Sequence, residues 1–176
     1  MKKTSIVVLI TSVFVISLYS FSNKSKEKSI VYTCLPCGSG CDSIVYDKPG
    51  TCSHCNMKLV DKSTIVHKDI EPGKMCSLDE KNVVFLDVRT PAEFNGTAQD
   101  KFGAIKNAIN IPIQELDKRL SELDQYKGKQ IIVYCSHSRR SPQASWVLTQ
   151  NGFTKVANMA GGMSEWENVN KKDCKE

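Results

Sequence analysis

The sequence predicts an α/β protein with one parallel sheet that carries helices on both faces, preceded by a small cysteine-rich segment. From about residue 64 to residue 172, short β-branched apolar runs alternate with helical stretches, which is typical of a covered parallel sheet. Before that region, residues 31–60 hold five of the eight cysteines. A chain of 176 residues has room for one domain of ordinary size and one small module.

The amino terminus has the pattern of an export signal. A positive start is followed by the apolar run 6–18, and small residues at Ser20 and Ser22 suit cleavage. We therefore predict a signal peptide over 1–22, with an uncleaved anchor as the alternative, although the run is shorter than the roughly 20 residues that span a bilayer. A Lys- and Ser-rich linker covers 23–30. The mature protein is expected in the periplasm or another extracytoplasmic space, and it contacts the membrane only if the signal stays uncleaved.

The formal net charge of +5 does not indicate a nucleic-acid partner. No basic stripe with interleaved aromatic residues occurs in the sequence, and such a stripe is what nucleic-acid binding needs.

Two C-x-x-C pairs organise residues 31–60. Cys34 and Cys37 form the first pair, and Cys52 and Cys55 form the second. Their four sulfurs can close a tetrahedron around one metal ion. So short a segment buries too little apolar surface to fold unaided, so either a metal or disulfides must stabilise it. Cys41, His54 and Met57 are further candidate ligands, with Met57 expected to pack against Leu59 instead.

The same segment resembles the short heavy-metal-binding domain of bacterial metal-efflux proteins. The resemblance rests on residues 32–34, 49–50 and 52–60. The chain has Cys37 where that family has His, and Asn56 where it has Gly. The resemblance implies a site for zinc or another soft metal ion, such as cuprous copper. Whether the metal only holds the fold together or is sensed or delivered stays open.

In the main domain, residues 83–86 predict a buried strand that ends in Asp87-Val88-Arg89. Thr90-Pro91-Ala92-Glu93 then predicts a helix start with a capping box. We expect Arg89 to pair with Asp87 below the site, and Glu93 lies within reach of Arg89 across the turn.

Two further elements follow the same reasoning. Leu116, Leu120 and Leu123 fall at helical spacing and predict a helix over about 113–126. Residues 156–159 predict the last strand of the sheet.

The run 131–134 predicts another buried strand, and Cys135 follows it directly. Ser141 is placed to cap a helix that begins at Pro142 and stops at Asn151-Gly152. A thiol between a strand end and a helix start meets unpaired N–H groups and the positive end of the helix dipole, which favour the thiolate. Arg139 and Arg140 add positive charge that attracts an anionic substrate.

This loop resembles the active-site loop of the rhodanese family of sulfurtransferases, because four residues separate Cys135 from Arg140. Residues 87–94, 103–112 and 161–166 resemble three other signatures of that family, in the family's order. The chain departs from the pattern at Ser138, where the family usually has Gly, and at Ala104, where it usually has His.

The resemblance implies that Cys135 is the catalytic nucleophile and that Arg140 orients the substrate anion. N–H groups from Ser136 to Ser141 are expected to hold the negative sulfur. The residues expected at the site are therefore Cys135 and Arg140 as catalytic residues, Ser136, His137, Ser138, Arg139 and Ser141 as substrate-binding residues, and Asp87, Arg89 and Glu93 as supporting residues.

The predicted activity moves sulfane sulfur from thiosulfate or a low-molecular persulfide, through a persulfide on Cys135, to a thiophilic acceptor. A thiol-containing partner protein is one such acceptor, and no cofactor is required for the transfer. The alternative function is extracytoplasmic metal handling by the cysteine-rich segment, with the rhodanese domain as a thiol or persulfide store. Cys76 and Cys174 lie in no motif, and the sequence does not decide whether they pair.

Overall fold

The structure is a computed structural model that describes residues 29–36, 38–79 and 81–169. The strands in chain order are β1 (Tyr32–Thr33), β2 (Val60–Asp61), β3 (Lys68–Ile70), β4 (Val83–Asp87), β5 (Ile109–Asn110), β6 (Gln130–Tyr134) and β7 (Val156–Met159). The α-helices are α1 (Pro72–Met75), α2 (Pro91–Phe94), α3 (Leu116–Arg119), α4 (Ser141–Gln150) and α5 (Met163–Trp166), and two 3-10 helices cover Lys62–Thr64 and Leu120–Tyr126.

The main domain is built on a five-stranded sheet in the order β3-β7-β6-β4-β5, and every pair of neighbours is parallel. The central strand β6 carries the apolar run 131–134, and all four of its residues are fully buried. Strands of a parallel sheet that is covered on both faces carry mostly apolar side chains, which explains this continuous run.

Helices cover both faces of the sheet, as predicted. Alternate residues of a strand point to opposite faces, so Ile131 and Val133 belong to one apolar cluster, whereas Ile132 and Tyr134 belong to the other. Helix α4 packs into the first cluster through Leu148, while α1 and α5 pack into the second.

Three features differ from the sequence predictions. The expected helix over 113–126 is α-helical only in α3 and continues as a 3-10 helix, although its apolar positions Leu116 and Leu123 are buried as expected. Strands β3 and β5 were not predicted. They lie at the two edges of the sheet, and β3 carries the exposed charged residues Lys68 and Asp69, so it lacks an apolar run.

The cysteine-rich segment forms its own small unit around the antiparallel pair β1 and β2. It joins the main domain at Thr64, whose hydroxyl accepts a hydrogen bond from Trp146 Nε1 at 2.9 Å and whose carbonyl accepts one from Gln150 Nε2 at 3.2 Å. The junction after the segment is therefore held against α4, the helix that follows Cys135.

In the part of the chain that the structure describes, no helix is long and apolar enough to cross a membrane. The predicted signal peptide over 1–22 lies outside the described residues.

Replacing Ile132 by Ala tests the packing of the central strand. We expect the free energy of unfolding to fall by about 2–5 kcal/mol, because the substitution leaves a cavity in the interior of the sheet. Urea unfolding followed by circular dichroism measures the change. The matched control is Val66→Ala, which removes methyl groups from a side chain that is 63% exposed and should change stability by no more than about 0.5 kcal/mol. Equal effects of the two substitutions would contradict this account.

Candidate active site and cysteine cluster

The register of β4 and β6 brings residues 87–94 and the loop after Cys135 together at the carboxyl-terminal edge of the sheet. Asp87 at the end of β4 is aligned with Tyr134 at the end of β6, and Val88 N–H donates to the Tyr134 carbonyl at 3.0 Å. Residues that follow these two strands therefore lie side by side beyond their carboxyl ends. That is where ligands bind in open parallel sheets.

The thiol of Cys135 is buried, since the residue is only 1% exposed and packs into the apolar cluster beside α4. Its sulfur nevertheless has polar partners: Ser141 Oγ lies 3.4 Å away, and Arg140 N–H donates to the sulfur at 3.4 Å. Burial by itself raises the pKa of the thiol, but hydrogen bonds from the Ser141 hydroxyl and from the N–H groups of Arg140, Ser141 and His137 outweigh it. The net effect is a lowered pKa for Cys135, which favours the thiolate.

Ser141 does not cap α4 as the sequence predicts. The capping position belongs to Arg140, whose side chain makes no capping bond, and Ser141 is the first residue of the helix. Its hydroxyl faces Cys135 Sγ instead, so the serine acts on the thiol and not on the free N–H groups of the helix.

The loop after Cys135 is held from the other side by the turn before α5. Met163 N–H donates to the Cys135 carbonyl at 2.8 Å, and Ser164 N–H donates to the Ser136 carbonyl at 3.0 Å. Gly162 has a φ of +68°, and a Cβ there would overlap the carbonyl oxygens of Cys135 and Ser136. Only glycine allows this close approach of the two backbones, which explains why the Gly161-Gly162 motif belongs to the site.

Glu93 forms the centre of a second network. Its carboxylate accepts hydrogen bonds from Arg140 Nη2 at 2.6 Å, Arg140 Nη1 at 2.8 Å and Ser136 Oγ at 2.8 Å. The Thr90 N–H and hydroxyl also donate to it, which completes the predicted capping box of α2. Glu93, which the sequence places within reach of Arg89, forms its ion pair with Arg140 instead.

Arg89 pairs with Asp87 instead, at 2.6 Å, and both side chains are completely buried. The Arg89 guanidinium also donates to the Gly103 carbonyl at 2.9 Å and lies 5.7 Å from the centroid of the Tyr134 ring. The predicted ion pair of Asp87 with Arg89 is thus present, and it ties the 103–112 signature to the base of the site.

The exposed rim of the loop is formed by His137 and Arg139. The His137 ring meets the Phe102 ring edge to face, with centroids 5.6 Å apart.

A second cluster lies in the cysteine-rich unit. The sulfurs of Cys34, Cys41, Cys52 and Cys55 all lie within 4.8 Å of one another, and the Cys34 and Cys41 sulfurs are 3.8 Å apart. Zinc–sulfur bonds of about 2.3 Å in a tetrahedron place the sulfurs about 3.8 Å apart, so this cluster fits a four-coordinate soft metal ion. The four cysteines form no disulfides.

Among the described residues, the cluster contains three of the four predicted ligands, Cys34, Cys52 and Cys55, and also Cys41. The Cys41 sulfur lies beside that of Cys34, and Cys37 lies outside the described residues. His54 is exposed, and Met57 packs on the apolar cluster that includes Leu59.

Cys52 and Cys55 form a tight turn that presents N–H groups to sulfur. The backbone N–H groups of Cys55 and His54, together with the Tyr46 hydroxyl at 3.6 Å, lower the pKa of Cys52 to about 6. The turn closes at Asn56, which has a φ of +56° and whose N–H donates to the Cys52 carbonyl at 2.9 Å. The left-handed backbone at this position explains why the related domains have glycine there. Asparagine is among the residues other than glycine that adopt this conformation most readily.

Of the two cysteines without a motif, Cys76 is disulfide-bonded. Cys174 lies outside the described residues.

Comparison with known proteins identifies both regions. The family model for the Rhodanese-like domain matches residues 76–169, and that for the Heavy metal binding domain matches residues 31–62. A sulfurtransferase of Allochromatium vinosum is 36% identical over 88 residues, which are 50% of this chain and 75% of that protein. A tRNA uridine(34) hydroxylase of Cytophaga hutchinsonii is 31% identical over 117 residues, 64% of this chain and 36% of that protein.

Among solved structures, a rhodanese-related protein from Thermoplasma volcanium is similar with a TM-score of 0.50 and 32% identity, covering 58% of this chain and 92% of that one. The chain spans from 25% to 75% of the length of the curated relatives first matched.

Replacing Glu93 by Gln tests the network around the loop. The Arg140 guanidinium, above all, holds the pKa of Glu93 far below its usual 4.5. The carboxylate therefore stabilises the fold fully above pH 4.5, and this contribution is lost as the pH falls below that value. We expect Glu93→Gln to lower the free energy of unfolding by about 1.5–3 kcal/mol at pH 7 and the difference to shrink at acidic pH.

Urea unfolding at a series of pH values from neutral to acidic measures this difference. Glu115→Gln is the control, because Glu115 also pairs with an arginine but its side chain is 52% exposed, so it should cost at most about 1 kcal/mol. If the loss of unfolding free energy in Glu93→Gln did not change with pH, the lowered pKa of Glu93 would be contradicted.

Proposed function

We propose that this chain, which belongs to the rhodanese-like family, is a sulfurtransferase that carries sulfane sulfur as a persulfide on Cys135. Sulfurtransferases among its relatives support this class of activity. The observation that carries the proposal is the set of donors directed at the Cys135 sulfur, because a buried thiol without them would stay protonated and inert.

In the first step, the Cys135 thiolate attacks the outer sulfur of thiosulfate or of a low-molecular persulfide. The new bond joins two sulfurs, and the old sulfur–sulfur bond breaks with its electron pair leaving on sulfite or on a thiolate. In the second step, a nucleophilic acceptor such as cyanide or a thiol attacks the outer sulfur of the persulfide. The Cys135 thiolate leaves and is ready for the next turnover.

The loop after Cys135 stabilises negative charge on sulfur both in the thiolate and in the persulfide of Cys135. N–H groups of His137, Arg140 and Ser141 and the Ser141 hydroxyl hold negative charge on sulfur, as an oxyanion hole holds charge on oxygen. The Arg140 guanidinium binds Glu93 at 2.6 Å, which positions the loop, and it also interacts with Cys135, which favours the thiolate. Exposed Arg139 supplies positive charge for attracting an anionic donor.

The acceptor in the cell is proposed to be a small thiol or a thiol-containing partner protein that reaches Cys135 past His137 and Arg139.

We further propose that the chain acts outside the cytoplasm, because residues 1–22 have the pattern of an export signal.

Replacing Cys135 by Ser tests the sulfur-transfer proposal. We expect the substitution to abolish thiosulfate-dependent thiocyanate formation from cyanide, because a serine hydroxyl cannot form a persulfide. Intact-mass measurement after incubation with thiosulfate should show the gain of one sulfur atom in the wild-type protein and none in Cys135→Ser.

The control is Cys52→Ser, which removes a thiol from the metal-type cluster and should retain sulfur transfer. If the wild-type protein never gains a sulfur on Cys135 from thiosulfate or a low-molecular persulfide, the proposed activity is wrong.

A second candidate function is metal handling, and the four-cysteine cluster is the observation that favours it. We infer that Cys34, Cys41, Cys52 and Cys55 would hold zinc or another soft ion, since four thiolates with no free position suit such metals. The bound metal would supply structural stability to a unit with a small core. In this function the rhodanese domain serves as a thiol or persulfide store.

Cys41→Ser should lower zinc binding from about one ion per chain to well below that, because one of four tetrahedral ligands is lost. Elemental analysis of the purified protein gives the stoichiometry, and absorption after cobalt substitution reports thiolate ligands. His54→Ala is the control, because His54 is exposed and should leave the stoichiometry unchanged. Full zinc binding by Cys41→Ser would remove Cys41 from the ligand set.

A further inference from the structure

The loop after Cys135 turns at a residue with unusual backbone geometry. Ser138 has a φ of +53°, in the left-handed region that L-residues other than glycine rarely adopt. The other two non-glycine residues with positive φ among those described are asparagines, Asn56 and Asn107, a residue type that tolerates this region well. Serine has no such tolerance, so Ser138 needs a partner that holds it there.

That partner is Asn158 on β7, which is only 2% exposed. Its Nδ2 donates to Ser138 Oγ at 2.8 Å, and the Ser138 hydroxyl lies 3.2 Å from Asn158 Oδ1. Asn158 Nδ2 also donates to Asp69 Oδ1 at 2.8 Å. Because a carboxylate only accepts hydrogen bonds, Asp69 fixes which end of the Asn158 amide faces it.

The sheet register explains how these residues meet. Asp69 on β3 is aligned with Asn158 on β7, and Asn158 is aligned with Val133 on β6, two residues before Cys135. Asn158 is a polar residue in a strand that is otherwise apolar and buried, so its side chain needs polar partners.

We propose that Asn158, oriented by Asp69, is a positioning residue that holds Ser138 in the left-handed conformation and so directs the Arg140 N–H at the Cys135 sulfur. The proposal rests on the proposed function, because it concerns the same thiol. In rhodanese-type loops with glycine at this position, the backbone adopts the turn without help. In this chain the same turn depends on a side chain from another strand.

The position of Ser138 in the loop explains why the contact from the Arg140 N–H to the sulfur depends on it. Ser138 lies between Cys135 and Arg140, so its φ sets the direction in which the backbone returns toward the sulfur. The 3.4 Å contact from Arg140 N–H to Cys135 Sγ is the result of that return. A loop released at Ser138 loses this donor while Cys135 stays at the end of β6.

The experiment combines two substitutions, Asn158→Ala and Ser138→Gly, in the full chain. Their readout is the pH dependence of Cys135 alkylation by iodoacetamide, followed by mass spectrometry of the tryptic peptide 130–139, whose one cysteine is Cys135. We expect Asn158→Ala to raise the apparent pKa of Cys135 and to slow its alkylation at neutral pH about 3- to 10-fold, the equivalent of one lost hydrogen bond.

The double variant, Asn158→Ala with Ser138→Gly, distinguishes a role of Asn158 in the loop from a role in β7. Glycine adopts the left-handed turn unaided, so Ser138→Gly in the Asn158→Ala background should restore the wild-type pH profile. A purely structural role of Asn158 in β7 would not be rescued by a glycine in the loop. The control Asn82→Ala also removes an amide that donates to a carboxylate, Asp79 at 2.7 Å, but at the amino-terminal end of β4, and it should leave the profile unchanged.

The outcomes separate this inference from the proposed function. A wild-type profile in Asn158→Ala, or a shifted profile that Ser138→Gly does not restore, overturns the positioning role. Failure of the wild-type protein to take sulfur from thiosulfate or a persulfide overturns the sulfurtransferase proposal instead, and the alkylation profiles still decide the role of Asn158.

Discussion

The site depends on the balance between burial of the Cys135 thiol and the donors directed at its sulfur. An apolar environment opposes a thiolate, and Cys135 is almost completely enclosed. The Ser141 hydroxyl and the backbone N–H groups of the loop reverse that preference. Such donors act only if the backbone is held in one shape, because an N–H group that turns away from the sulfur leaves a buried and protonated thiol. The surrounding contacts can therefore be understood as constraints on the shape of one short loop.

Those constraints come from separate parts of the chain. Glu93 on α2 holds Arg140 and Ser136, the turn at Gly162 supports the carbonyls at the start of the loop, and Asn158 on β7 holds Ser138. Arg140 contributes through its backbone and its side chain. Its backbone N–H donates to the Cys135 sulfur, and its guanidinium binds Glu93 and also interacts with Cys135. The positive charge of the side chain thus fixes the loop and favours the thiolate, and the exposed arginine beside it can meet an anionic substrate.

The cysteine-rich unit uses the same physical device on a smaller scale. Backbone N–H groups in a tight turn lower the pKa of Cys52, as they do for Cys135. In both turns a residue other than glycine occupies the left-handed position, Asn56 in one and Ser138 in the other. The difference lies in the neighbours of the sulfur. Cys52 has three other thiols within 4.8 Å and suits a metal, whereas Cys135 has a hydroxyl and N–H groups and suits a reactive anion.

The sequence alone determined the class of fold, the buried strands that lead to Asp87 and Cys135, and the loop that carries the thiol. These features depend on apolar periodicity and local spacing, which are visible along the chain. Only the tertiary structure decided that Glu93 pairs with Arg140, that Cys41 joins the cysteine cluster and that Asn158 supports the loop. Each of these contacts depends on strand register or on the path of a turn, and no local pattern encodes which distant side chains such geometry brings within hydrogen-bonding distance.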